Sequence, residues 1–280
     1  MDKPAGVTSH DVVAIVRRRL GIDAVGHTGT LDPFATGLLL LLLGGATRLG
    51  RFAAGDPKRY RATARLGFGT TTDDLTGEPL GPAWDGEWPP RDRVESTLTE
   101  MVGAVDQRPP AFSAKKVGGV RSYRLARRLG PAAVALDPVL VRIDHLGLVD
   151  YAPPRVEFTA QVGPGVYLRS VARDLGERLG TGAHLTALRR EGVGPFGVEA
   201  AVPLERVDAN SPRLSPLELL GPMPRVTVSS DDAAALRCGR SIGTAVDDQP
   251  TSVLVLGAEV VAIGRPRGGH WQPTVVLGGQ

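Results

Sequence analysis

Six consecutive leucines, Leu38 to Leu43, follow directly on a segment punctuated by Gly26, Gly29 and Gly37. Any fold of this chain has to bury that run within a few residues of a loop whose glycines allow turns that other residues resist. The run is far short of the roughly 20 apolar residues of a membrane helix. It reads as a strand buried on both faces and ended by Gly44-Gly45. Just upstream, Asp32 precedes Pro33, and a residue before proline is biased toward extended backbone. One carboxylate is thereby presented from a stiff loop that the leucines anchor. A lone Asp-Pro is most often an ordinary turn whose aspartate bonds its own backbone, so other segments must decide.

A chain of 280 residues, 42% hydrophobic, can bury a sizeable core as one large domain or as a large domain with an appendage. Its formal net charge of +3 excludes a generally cationic coat. Of 33 basic residues only Lys3, Lys58, Lys115 and Lys116 are lysine. Arginine grips phosphate with a planar fork and stacks on bases; an arginine-biased genome gives the same count, so composition alone leaves RNA binding open. Cys238 is the only cysteine, which rules out an intrachain disulfide and makes a reducing compartment, the cytoplasm, the expectation. No basic-then-apolar leader follows Met1, and no membrane contact is expected. The histidines lack metal-ligand spacing, so no metal is expected, and neither a Walker loop nor a GxGxxG is present.

Along the chain, Thr8-Ser9-His10-Asp11 has the form of a capping box, with Val12, Ile15, Val16 and Leu20 at helical spacing up to Gly21. Arg17, Arg18 and Arg19 in the last turn either meet phosphate or complement the helix dipole. Lys58 to Leu66 alternates, with Tyr60, Ala62, Ala64 and Leu66 on the apolar face. Gly67 to Gly86 reads as a surface excursion, and Val94, Leu98, Met101 and Val102 mark a second helix. The loop from Arg108 to Gly119 carries Lys115 and Lys116 and is flanked by Arg121, Arg124, Arg127 and Arg128. Interleaved with Phe112 and Tyr123, these cations form a surface suited to a nucleic-acid backbone. Val139–Val149 and Arg155–Val162 alternate like strands; from Gly163 a short strand is expected to run into a helix, with Arg169 and Arg173 off its apolar face. Five prolines between Pro203 and Pro224 mark a boundary, after which a capped helix from Ser230 and strands at Ser252–Leu256, Glu259–Ile263 and Thr274–Leu277 suggest a small, mostly β module.

Several segments, in the same order, resemble the TruB family of tRNA pseudouridine synthases. They are Asp2 to Gly6 with Thr8 to Asp11, Gly26 to Gly37, Lys58-Arg59-Tyr60, Ser113-Ala114-Lys115, Gly165 to Arg169 and Leu188-Arg189-Arg190. The Gly-His-Thr-Gly-Thr-Leu-Asp-Pro-x-Ala-Thr-Gly segment is itself a highly specific signature, which displaces the ordinary-turn reading of Asp32. Val166 stands where a threonine is common, and the chain opens at Lys3-Pro4 with almost none of the strand that normally leads into it.

The resemblance implies an α+β pseudouridine synthase fold with a large mixed or antiparallel sheet and a central cleft, spanning 1–222 with an RNA-binding insertion near 107–130. A small PUA-like module would occupy 224–280. The implied reaction converts uridine to pseudouridine at position 55, in the T loop of tRNA, with no cofactor. Asp32 would be the nucleophile, Arg169 the cation holding it ionised, and Tyr60 the residue stacking on the base and offering its hydroxyl to a proton. Tyr167 and Leu188 would wall the pocket, His27 would fill the gap left by the flipped base, and Lys115 and Lys116 would bind RNA. The implied partner is the T-arm stem-loop of tRNA, with the protein a monomer and no obligatory protein partner. A non-catalytic tRNA-binding or folding protein is the alternative; a glycoside hydrolase is weaker, because the segment near Tyr167 offers arginine rather than a second acid.

Overall fold

The computed structural model describes residues 1–53, 55–134, 136–244 and 249–278. Strand β1 (Asp2–Lys3) leads through a turn into helix α1 (Ser9–Leu20). The capping box forms as expected: the Thr8 side chain accepts from the Asp11 N–H and Asp11 answers the Thr8 backbone, while Gly21 ends the helix at φ 62°. Strands β2 (Val25–Thr28), β3 (Thr36–Leu38) and β4 (Leu40–Leu43) follow. The six leucines are therefore not one strand. The chain breaks at Leu39, and β3 joins the main sheet whereas β4 pairs back on β2.

Next come β5 (Lys58–Leu66), a small hairpin of β6 (Gly69–Thr70) and β7 (Pro79–Leu80), α2 (Arg91–Glu100) and β8 (Gly103–Gln107). The basic segment folds as a hairpin of β9 (Lys116–Val117) and β10 (Val120–Arg121) followed by α3 (Ser122–Leu129). Two long strands, β11 (Val139–Ala152) and β12 (Arg155–Val162), precede α4 (Leu168–Leu179), β13 (Ala183–Val193) and β14 (Phe196–Gly197). Gly163 to Tyr167 is a turn and not the short strand expected there.

The main sheet runs β1-β3-β13-β5-β12-β11-β8, with β14 beside β13. All its pairs are antiparallel except β3 with β13, so the sheet is mixed. Period-two alternation in β5 puts Tyr60, Ala62, Ala64 and Leu66 on a buried face. Val12 and Val16 of α1, Val94 and Leu98 of α2, and Val171 and Leu175 of α4 pack with them in one core.

After α5 (Pro216–Leu220) come β15 (Arg225–Thr227), α6 (Ser230–Arg237), β16 (Ile242–Gly243), β17 (Ser252–Leu256), β18 (Glu259–Arg267) and β19 (His270–Val276). These five strands form a curled, PUA-like sheet in the order β15-β17-β18-β19-β16. The leucine run joins the two sheets. Leu39 lies in the core under the main sheet, while Leu38, Leu40 and Leu42 pack in a second core with Val253, Val255, Ile263 and Leu277.

Candidate active site

Asp32 lies on the loop between β2 and β3, and that loop is gripped from several directions. Ser9, the first residue of α1, accepts from the Leu31 N–H at 2.9 Å and donates back to the Leu31 carbonyl at 3.1 Å. Lys3 is fully buried, and its Nζ donates to the carbonyls of Ala35 (2.7 Å), Pro4 (2.9 Å) and Pro33 (3.2 Å). Burying an ammonium costs several kcal/mol, and three charge-assisted hydrogen bonds of about 1.5–3 kcal/mol each are sufficient to offset it. Arg190, equally buried, donates to the carbonyls of Leu38 (2.7 Å) and Gly29 (3.0 Å). Between the two cations runs Gly37, paired with Lys3 on one side and Arg190 on the other. Its φ is 101°, and a Cβ there would sit 2.2 Å from the Arg190 carbonyl oxygen, so the position requires glycine.

The Asp32 carboxylate meets Arg169, 137 residues later in the chain, with Oδ2 2.9 Å from Nε and Oδ1 3.2 Å from Nη2. Arg169 follows the turn into α4 and is buried. Nη1 donates to the Thr72 carbonyl (3.0 Å) and Nη2 also to the Phe112 carbonyl (2.9 Å), Asp74 stands 3.5 Å from Nη1, and the Nε contact with Asp32 is an ion pair without hydrogen-bond geometry. Of the expected surface excursion from Gly67 to Gly86, the part from Leu75 onward is mostly exposed, but Asp74 turns inward. It is buried, with Oδ1 accepting from Thr72 Oγ1 (2.7 Å), the Thr76 N–H (2.9 Å) and Thr76 Oγ1 (2.6 Å). The neighbouring Asp73 holds φ 59°, accepts from the Leu185 N–H at 3.0 Å through its carbonyl and pairs with Arg173 at 2.9 Å.

Burial pushes the Asp32 carboxyl above the usual range; Arg169 opposes the shift, Asp74 adds to it and Lys3 opposes it more weakly. Arg169 thus acts on Asp32 in the expected direction, favouring the charged form, while burial is the larger influence.

Tyr60 is buried on β5 opposite Arg190, and Leu188 on β13 pairs with Ala62, which makes Tyr60 and Leu188 diagonal neighbours on the core face. Arg190 thus links Tyr60's strand to the Asp32 loop. Tyr167 precedes α4; burial raises its hydroxyl pKa, which the adjacent Ser113 side chain and Arg169 ease and Asp32 reinforces. His27 lies on β2 opposite Leu41, with Nδ1 buried and unpartnered among the described residues. Desolvation lowers its pKa, and Arg190 and His10 push it the same way, all favouring the neutral ring. Lys115 and Lys116 line a cavity of about 330 Å³ with Pro109, Val117, Leu136, Asp137 and Val139. Arg17 to Arg19 lie at the far end of α1 from Ser9, and Arg19 donates to the Leu204 carbonyl at 2.6 Å.

Residues 17–168 match the model of the TruB family pseudouridylate synthase N-terminal domain, and 169–216 match the tRNA pseudouridylate synthase B C-terminal domain. The chain belongs to the TruB family. It is a tRNA pseudouridine synthase, isomerising uridine in tRNA. Tyr167 and Arg169 fall on opposite sides of the boundary between the two family models, yet the Asp32–Arg169 pair crosses it, so the candidate site draws on both parts. The chain is 45% identical over 241 residues to tRNA pseudouridine synthase B of Symbiobacterium thermophilum, covering 85% of this chain and 80% of that protein. It is 40% identical over 294 residues to the protein of the same name from Thermobifida fusca, covering 100% and 97%. Among solved structures, the archaeal box H/ACA sRNP Nop10-Cbf5 complex contains a chain that superposes with a TM-score of 0.69 at 22% identity, covering 98% of this chain and 84% of that one. The TruB fold is therefore shared at low sequence identity. Among the described residues no helix is long and apolar enough to cross a membrane.

Nothing in the sequence by itself assigns a role to Lys3, Arg190, Asp74 or Gln107. Lys3 and Arg190 lay inside segments already singled out, but their targets are carbonyls, which carry no sequence signal. The spacing Thr72, Asp74, Thr76 is an Asx-turn pattern that marks Asp74 as a backbone-bonding carboxylate. Nothing local marks it as a partner of Arg169.

Proposed function

We propose that the uridine isomerised is position 55 in the T loop, that Asp32 is the nucleophile, and that the protein acts as a monomer on the T arm without a protein partner. The observation that carries this is the two-point contact of Arg169 with Asp32 inside a largely buried site. No atom is gained or lost in the isomerisation, so the nucleophile must leave again, and a carboxylate forms an ester or adduct that reopens. Arg169 keeps Asp32 aimed and limits its protonation. Tyr60 lies under the base and takes part in moving the proton released from the ring carbon that becomes attached to ribose. Tyr167 and Leu188 shape the pocket.

A stacked uridine cannot reach Asp32 and has to be flipped out, at a cost of a few kcal/mol. His27, neutral and with an unspent ring nitrogen, enters the place the base leaves. The exposed cations of the insertion, with Arg124 and Arg127 stacked on Tyr123 at 6.0 and 5.7 Å, supply a surface for the RNA backbone.

Asp32→Asn is expected to abolish tritium release from C5-labelled uridine in a T-arm hairpin incubated with the purified chain alone. Release at the wild-type rate would overturn the nucleophile assignment. Wild type that binds and folds tRNA but forms no pseudouridine at position 55 would overturn the substrate assignment.

A further inference from the structure

Helix α4 begins without an ordinary cap. Serine, threonine, aspartate and asparagine favour the position before a helix because their side chains accept from the first turn. Here the position holds Tyr167, at φ −107° and ψ 114°, whose side chain makes no capping bond. The Tyr167 hydroxyl instead feels the Ser113 side chain, Arg169 and Asp32. The entry of the chain into α4, and with it the aim of Arg169 two residues on, has to be fixed from outside.

Gln107 supplies that fixation. It ends edge strand β8, it is buried, and both ends of its amide are used on one residue. Oε1 accepts from the Tyr167 N–H at 2.8 Å, and Nε2 donates to the Tyr167 carbonyl at 3.2 Å. The residues that follow continue the contact: the Arg108 carbonyl accepts from Ser170 Oγ and from Arg173 Nη2, both at 2.8 Å, and the Phe112 carbonyl accepts from Arg169 itself at 2.9 Å. The stem of the basic insertion is stitched to the first two turns of α4.

We infer that Gln107 is a positioning residue for the isomerisation: its amide grips the backbone of Tyr167 in place of a helix cap and so aims Tyr167 and Arg169 at the reacting uridine. This rests on the assignment of Tyr167 and Arg169 to the active site. Single-turnover tritium release from unmodified tRNA transcripts, with RNA affinity measured in parallel, tests it. Gln107→Leu is expected to lower the rate at saturating RNA by about 10- to 100-fold, the loss that a misplacement near 1 Å produces, with Kd within about twofold. In an Arg169→Lys background the same change should cost less than about threefold, since residues acting through one group are not additive.

Gln107→Glu keeps the acceptor for the Tyr167 N–H and, when protonated, restores a donor to the carbonyl. Its rate relative to wild type should rise as pH falls. An undiminished rate in Gln107→Leu, an equal fold loss in both backgrounds, or a Glu-to-wild-type ratio flat with pH would overturn the inference. Should Gln107→Leu fail to fold, the Glu ratio decides. Arg169→Lys active at the wild-type rate would instead remove Arg169 from the site and leave the Gln107 contact standing.

Discussion

Around the Asp32 loop, Lys3 and Arg190 are 0% and 1% exposed and direct their protons at main-chain carbonyls. In the insertion, Lys116, Arg121, Arg124, Arg127 and Arg128 all stand exposed around a two-strand hairpin and a short helix. Buried cations fix a backbone in one conformation, because every alternative leaves a charge or a carbonyl unpaired in a poorly polarisable medium. Exposed cations fix little, since water and salt compete for each contact. The same residue types therefore build a rigid template around Asp32 in one place and an adaptable, exposed surface in the other.

The sharpest way to break this comparison is to exchange a cation from each region for methionine. Lys3→Met removes the Lys3 donor from the carbonyls of Pro4 and Ala35, at about 1–3 kcal/mol for each one left unpaired, while the Pro33 carbonyl keeps the Gly6 N–H. It is expected to lose several kcal/mol in urea unfolding, together with catalytic activity, whereas Arg128→Met should stay within about 0.5 kcal/mol of wild type. Equal stability of the two variants would refute the template role of Lys3.

A second test concerns the charge on Asp32. Asp74 adds to the elevation of the Asp32 pKa that burial begins, so Asp74→Asn should move the acid limb of the pH–rate profile to lower pH. The plateau should also fall, by about tenfold, since Arg169 loses a partner worth roughly 1.4 kcal/mol to the transition state. An unmoved or rising acid limb would exclude Asp74 from the electrostatics of the site. Stability carries the same sign. A carboxyl whose pKa is raised by folding binds more protons folded than unfolded just above the ordinary aspartate range, so stability declines as pH rises through that window. Asp32→Asn removes that decline, and the inactive variant should resist urea better than wild type at neutral pH and not in acid.

The smallest effect belongs to the adaptable region. Lys115→Ala with Lys116→Ala is expected to weaken tRNA binding and to flatten the log–log salt dependence by about 0.7–0.9 for each phosphate no longer neutralised. The single-turnover rate at saturating RNA should hardly change. An unaltered salt slope would place RNA elsewhere on the surface.

What the sequence made legible follows the range of the interactions involved. The Thr8–Asp11 box, the alternation of β5 and the helical spacing of α4 are local, and each appears in the structure where its pattern lies. Asp32 and Arg169 are 137 residues apart, and only a family resemblance brought them together beforehand. Asp74 escaped because its loop lacks apolar periodicity; it is buried through hydrogen bonds, which leave no hydrophobic pattern. The leucine run misled in a different way. Periodicity cannot show that a buried strand divides between two sheets, since both halves look equally apolar.

That division limits where the gene can be cut. Leu38, Leu40 and Leu42 close the hydrophobic interior of the C-terminal sheet although they belong to the segment that presents Asp32. A gene cut after the proline-rich stretch would encode an enzyme with a greasy stripe facing water and a tail lacking its floor. Swapping the tail for that of a distant relative should give soluble protein only when the leucine segment travels with it.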